Sequence, residues 1–276
     1  MINIKEYLTQ HYINQNKSIS KIAKENGMST FQVRKLLDDN NFEIISSSER
    51  ITKNINASLF NSQSPTSVFL LGYIMMDGDL QYNQKTKKYF LRLYSKYRNQ
   101  IELVQELLEM EGKLQYRKET FHNGKKQGAI YFIHIPNQNI IQKLMSYGMV
   151  SNKNDKILLP EIKNDLIPYF LRGCFMGSGS FYMNKNGKIH ISFTIGSKSF
   201  INSLNHVLYN QGLTFRKIYK NKTKSPSYYF RYAEQDSLKL INFIYNSDYE
   251  VLRCQRQVEK IHEYYQLELN RSKERT

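Results

Sequence analysis

Large apolar residues run through Phe69-Leu70-Leu71-Gly72-Tyr73-Ile74-Met75-Met76 and stop at Asp77-Gly78. A run with no polar stripe predicts a helix buried on all sides, and the glycine marks its end. The stretch FLRGCFMGSGSF, Phe170 to Phe181, repeats that outline, with Gly173 placed 101 residues after Gly72. Downstream of each helix the pattern keeps one order: strand, strand, helix, strand, strand, helix. In the first half DGDLQYN and KKYFLRLYSKY read as a hairpin, IELVQELLEMEG as a helix, KLQYRKETFHNGKKQGAIYFIHI as a second hairpin, and NQNIIQKLMSYGM as a helix. The second half answers with GSFYMN, GKIHISFTIGSK, FINSLNHVLYNQG, LTFRKIYKNKTKSPSYYFRYAE and DSLKLINFIYN. In KIHISFTI the alternation puts Ile189, Ile191, Phe193 and Ile195 on one face and His190, Ser192 and Thr194 on the other. The expected fold is α+β, a tandem αββαββα repeat.

A smaller all-α unit precedes it. SISKIAKENGMSTFQVRKLLDD carries Ile19, Ile22 and Ala23, then Gly27, then Val33, Leu36 and Leu37. That spacing predicts two short helices joined at a glycine, with Ser29 as N-cap of the second and a support helix over Ile4 to Tyr12. The pair is similar to a helix-turn-helix of the DNA-binding kind. Its second helix, about Thr30 to Asp38, would expose Thr30, Gln32, Arg34 and Lys35 to phosphates and base edges. SSSERITKNINASLFNSQSPTS lacks periodicity and reads as a linker. The expected boundaries are 1–45 for the helical domain, 46–64 for the linker, 65–160 for the first repeat, and 161–276 for the second with a C-terminal helix.

Charge narrows the function. Forty Lys+Arg against 24 Asp+Glu give +16 over 276 residues, which favours a polyanionic partner. With 21 Tyr among the cations, nucleic acid is the expected class, double-stranded DNA first and RNA second. The chain holds no apolar run long enough to span a bilayer and no signal-peptide layout at its start, so a cytoplasmic protein is expected, nucleoid-associated if its source is bacterial or phage. Two cysteines, Cys174 and Cys254, are too few for a disulfide framework or a cysteine-rich zinc site.

The two glycine-centred helices resemble the paired motifs of the LAGLIDADG homing endonucleases, LLGYIMMDG (Leu70 to Gly78) being the first and LRGCFMGSG (Leu171 to Gly179) the second. The resemblance extends over about Pro65 to Tyr265. It implies a single-chain pseudo-dimer in which the motif helices pack side by side at Gly72 and Gly173, while two sheets form a saddle over DNA. It also implies an acid at the foot of each helix to hold divalent metal, with a basic residue nearby. Asp77 would be the first acid and Lys153 the basic residue, with Lys156, Arg253 and Arg256 as further basic candidates.

The second acid is missing. Ser178 stands in register with Asp77, flanked by Gly177 and Gly179, and a neutral hydroxyl is a poor magnesium ligand. Double-strand cleavage is therefore expected to fail, leaving a sequence-specific DNA-binding regulator of transcription or recombination. A nickase or homing endonuclease with Mg2+ at Asp77 is the alternative; binding alone needs no cofactor. On the outward faces of the hairpins Arg92, Lys96, Arg117, His190, Ser192, Thr194, Arg216, Lys220 and Arg231 are the expected DNA contacts. The internal repeat supplies two half-site readers, so a monomer suffices.

Overall fold

The computed structural model describes residues 3–45, 55–111, 114–122, 125–151, 156–222, 227–245, 252 and 254–273. Lys153, Arg253 and residues 46–54 of the expected linker lie outside the described residues. The chain divides into two compact units, residues 1–55 with 109–112, and residues 56–108 with 113–276.

The first unit contains α1 (Ile4–Leu8), a π-helical turn over Thr9–Asn14, α2 (Ile19–Glu25) and α3 (Thr30–Asp39). The expected support helix thus changes register after Leu8. The wider turn leaves Tyr12 fully buried, and its hydroxyl accepts the Ile45 N–H at 2.8 Å. Leu8, Tyr12, Ile19, Ile22, Ala23, Val33 and Leu37 close into one core. Gly27 turns the chain between α2 and α3 at φ +63, a conformation that costs other residues about 1 kcal/mol or more. Ser29 then caps α3: its side chain accepts from the Gln32 N–H, and Gln32 Oε1 accepts from the Ser29 N–H at 2.8 Å. This reciprocal capping fixes the start of the helix.

The second unit opens with a 3-10 turn over Ala57–Phe60 and continues into α4 (Pro65–Asp77), which begins with a Ser64–Ser67 capping box and Pro65 at its first position. After it come β1 (Asp79–Asn83), β2 (Lys88–Ser95), α5 (Arg98–Leu107), β3 (Gln115–Arg117), β4 (Thr120–His122), β5 (Lys125–Gln127), β6 (Ile130–Ile135) and α6 (Gln138–Ser146). The second repeat gives α7 (Ile167–Ser178), β7 (Gly179–Met183), β8 (Ile189–Ile195), α8 (Lys198–Asn210), β9 (Tyr219–Lys220), β10 (Tyr228–Ala233) and α9 (Glu234–Tyr245), and the chain continues into α10 (Gln255–Lys273). The two antiparallel sheets share one strand order, β1-β2-β6-β3 and β7-β8-β10-β9.

Two expected hairpins are modified. Between β3 and β6 the ladder is interrupted at Lys118–Glu119 and Gly128–Ala129, and the tip becomes a separate ribbon, β4–β5. In the second repeat, Leu213 to Ile218 is not a strand. The buried Asn205 takes both backbone groups of Arg216, donating to its carbonyl at 2.7 Å and accepting from its N–H at 3.2 Å. Those groups are then unavailable to a strand ladder.

One arginine organises the second repeat. Arg172, inside α7, is 1% exposed and donates to the Ile244 carbonyl at 2.9 Å and the Leu252 carbonyl at 3.0 Å. It thereby satisfies a carbonyl in the last turn of α9, one of the groups that a helix end leaves unpaired, and ties down the approach to α10.

Candidate functional site

The site begins where α4 and α7 touch. A methyl group at Gly72 would collide with the Phe170 carbonyl oxygen, and one at Gly173 with the Phe69 carbonyl oxygen. Each glycine also faces a backbone nitrogen of the opposite helix, Cys174 N for Gly72 and Tyr73 N for Gly173. The contacts repeat with the helices exchanged, as in an isologous interface. Only glycine permits this approach, because the neighbour is rigid backbone with no side chain to swing away. Gly72 and Gly173, the expected packing positions, both lie at this contact.

Because the helices meet there, their feet meet as well. Ser178 Oγ lies 3.5 Å from Asp77 Oδ1, at the outer limit of a hydrogen bond, with the hydroxyl as donor. Both residues are half-buried. The Tyr73 hydroxyl, buried and without a hydrogen-bond partner, belongs to the same region. Burial first, and then the charge of Asp77, hold the Tyr73 phenol well above the usual tyrosine range. Beyond the feet, Gln257 of α10 donates to the Phe175 carbonyl at 2.6 Å.

A divalent metal fits this donor set poorly. Among the described residues no group of three His, Cys, Asp or Glu converges anywhere. At the feet one carboxylate faces one hydroxyl, whereas the resemblance implies a pair of acids. Of the basic candidates, Lys153 and Arg253 fall outside the described residues, while Arg256 donates to the Tyr97 hydroxyl at 2.8 Å with its guanidinium 4.3 Å from that ring.

Next to the feet, each sheet has one face that is half-exposed or exposed among the described residues. Cross-strand register defines its central row, Asp79, Arg92 and His134 in the first repeat and Ser180, Ser192 and Arg231 in the second. On the second sheet the alternation in β8 is as the sequence predicts: Ile189, Ile191, Phe193 and Ile195 are buried, while His190, Ser192 and Thr194 are half-exposed. His190 stacks on Tyr182 at 4.9 Å, and the Arg231 guanidinium sits 5.4 Å from the same Tyr182 ring. On the first sheet Arg92 lies 4.9 Å from the Phe90 ring and donates to the Tyr94 hydroxyl at 3.3 Å. Burial first, then the Arg92 charge, push the His134 pKa below its ordinary value. Arg117 is exposed on β3, and Lys96 is exposed just beyond β2.

Two expected contacts lie elsewhere. Arg216 forms an ion pair with the largely buried Asp236 at 2.8 Å and sits 5.5 Å from the Tyr232 ring, on the side covered by helices. It is a structural tie, since a carboxylate behind the sheet already holds its charge. Lys220 pairs in register with Tyr228, so it shares the side of Phe230 and Tyr232, whereas Tyr219 pairs with Tyr229 on the open side. The sequence reading also missed the aromatic cluster of Phe90, Tyr94, Phe132 and His134, whose neighbouring rings lie 5.5 to 5.9 Å apart. The alternation in KYFLRLYS places Phe90 and Tyr94 beside Arg92 and would have revealed it.

In the first unit Thr30, Arg34 and Lys35 are exposed on α3. Gln32 is exposed too, but its amide oxygen is engaged by the capping box.

Both repeats have counterparts among known protein families. The family model described as the WhiA LAGLIDADG-like domain matches residues 66–150, and that described as a LAGLIDADG-like domain matches residues 165–262. The two matches coincide with the two repeats, and both repeats belong to the LAGLIDADG-like domain family. Among solved structures it is similar to the homing endonuclease I-WcaI bound to its DNA recognition sequence, at 19% identity and a TM-score of 0.49, with 78% of this chain and 97% of that chain covered. It is also similar to the LAGLIDADG homing endonuclease I-GzeII in complex with its DNA target, at 11% identity and a TM-score of 0.47, with 77% and 92% covered. A third is I-DmoI in complex with DNA and calcium, at 16% identity and a TM-score of 0.43, with 72% and 94% covered. No curated protein sequence matches the chain. Among the described residues no helix is long and apolar enough to cross a membrane.

Proposed function

We propose that the protein is a sequence-specific double-stranded DNA-binding protein on a homing-endonuclease scaffold, deficient in cleavage and acting as a regulator of transcription or recombination. The observation that carries the reading is the foot of the helix pair, where the Ser178 hydroxyl faces the Asp77 carboxylate. Metal-assisted phosphodiester hydrolysis needs a cation held against the scissile phosphate. A single carboxylate beside a neutral hydroxyl provides half of the charge that such a pair of sites would use. The open sheet faces keep the cations for binding, with Arg92 and Arg117 on one and Arg231 on the other. Phosphate contacts of this kind position a protein on a duplex, and the polar neighbours His190, Ser192 and Thr194 supply donors and acceptors for base edges. The match of the first repeat to the WhiA LAGLIDADG-like domain supports the regulatory role.

In this reading the two repeats act as half-site readers related by an internal twofold, and a monomer suffices. The first unit is a helix-turn-helix adding a second DNA contact through Thr30, Arg34 and Lys35. Binding requires no metal, and the site of action is the nucleoid.

The test combines a gel shift with a nicking assay on a supercoiled plasmid library carrying the surrounding genomic sequence, with magnesium or manganese present. Specific shifts without new breaks support the proposal. Nicked or linear products that vanish in Asp77→Ala would replace it with a nickase or endonuclease using one carboxylate. Absence of any specific shift would refute both.

A further inference from the structure

The helix α3 carries a side chain that its own fold does not explain. Phe31 is 73% exposed, the most exposed of the large hydrophobic residues described. The inward stripe of α3 is already satisfied, since Val33 and Leu37 are fully buried and Leu36 packs against the same core. Phe31 points the other way. On a helix, positions three and four apart are neighbours, so Arg34 and Lys35, both exposed, lie beside it. The polar side chain that could have read a base from this end, Gln32, is held in the capping box with Ser29. The outward surface of α3 thus carries, near its start, an aromatic ring bordered by two cations with Thr30 and Gln32 beside it, while Asp38 and Asp39 are exposed at its far end.

A ring held in water beside two cations suits a ligand that is anionic around an apolar feature. Duplex DNA has that chemistry in its major groove: phosphates line the edges, and the C5-methyl of thymine is the apolar mark among the base edges. We infer that Phe31 is a specificity-determining residue that packs on a thymine methyl while Arg34 and Lys35 contact the flanking phosphates. The inference rests on the reading of the first unit as a DNA-binding helix-turn-helix, and it names the base that unit selects.

The experiment uses the full chain. Duplexes are enriched from a randomised thymine-containing library, and the best binder is remade with deoxyuridine at each thymine in turn, which removes only the methyl. Losing one buried methyl is worth about a fourfold loss of affinity. The expected result is that loss at one or two positions for the unmodified protein and none in Phe31→Ala, with part of it kept in Phe31→Leu. Arg34→Ala should weaken thymine and deoxyuridine duplexes alike and lower the salt slope by about one. The inference is overturned if the unmodified protein treats all deoxyuridine duplexes as it treats thymine, or if Phe31→Ala keeps the discrimination. It is equally overturned if Phe31→Ala instead changes the oligomeric state, since the ring then serves contact between copies. If Arg34→Ala and Lys35→Ala change neither affinity nor salt slope, the helix does not touch DNA, and the helix-turn-helix reading fails with the inference.

Discussion

A second acid at position 178 is the sharpest perturbation the helix feet allow. In Ser178→Asp a second carboxylate would enter a half-buried site whose present hydroxyl lies 3.5 Å from Asp77 Oδ1. At such a separation two unit charges repel by about 4 kcal/mol at the effective dielectric typical of sites near a protein surface. Partial exposure and side-chain rotation reduce this, so about 1.5 to 3 kcal/mol of lost stability is expected at neutral pH. One of the two acids takes a folded-state pKa above its unfolded value, and such an acid costs most stability above that folded pKa. The deficit should therefore shrink as pH falls through the raised pKa towards the unfolded one. A divalent cation relieves the same repulsion. The assay is the thermal midpoint of the variant and the parent from about pH 4 to 8, the range that spans a raised carboxyl pKa, with and without magnesium. The reasoning predicts a lowered midpoint at neutral pH that magnesium partly restores, against no magnesium response in the parent. A variant midpoint equal to the parent's at every pH and insensitive to magnesium would show that the feet do not form one site.

Further expectations come from the packing. Gly173→Ala gains about 1 kcal/mol of helix propensity, yet it must push the Phe69 carbonyl aside; a net loss of about 2 kcal/mol or more in urea unfolding is expected. Arg172→Met removes the donor to the Ile244 and Leu252 carbonyls and should cost about 3 kcal/mol by the same measurement. Tyr73→Phe deletes a buried hydroxyl that has no partner, so its stability should be equal to the parent's or up to about 1 kcal/mol greater. His134 has a folded pKa below its unfolded one, so its contribution is present above the unfolded pKa and declines as pH falls towards the folded value. His134→Phe should flatten stability over that acidic window, read by denaturant midpoints at several pH values.

The legible and illegible parts of the sequence divide on physical lines. The glycine helices were legible because burial on all sides leaves an uninterrupted apolar run, and β8 because strict alternation admits one face assignment. Ser178 was legible as a departure, since the repeat itself supplied the reference at Asp77. The place of Arg216 is not legible, because it is decided by Asp236, twenty residues away in sequence and 2.8 Å away in space. Lys220 was misplaced by one strand position, and a slip of one residue exchanges the two faces of a strand. Gln32 lay where expected, but the same spacing that makes it a reader also makes it a capping residue. Arg172 gave a signal, a lone cation in an apolar helix, though the carbonyls it serves are 72 and 80 residues downstream.

The seam at Gly72 and Gly173 has a consequence for how such a chain can change. Those positions tolerate one residue, because the partner is main chain that every sequence must possess. The feet, a turn or so away, are half-open side-chain positions where a carboxylate or a hydroxyl fits with the same backbone. Loss of an acid there leaves the scaffold standing, whereas loss of a glycine would bring it down. Charge and architecture are written on different letters of the same helix, so a single substitution at a foot can change the charge there and leave the packing of the pair as it was.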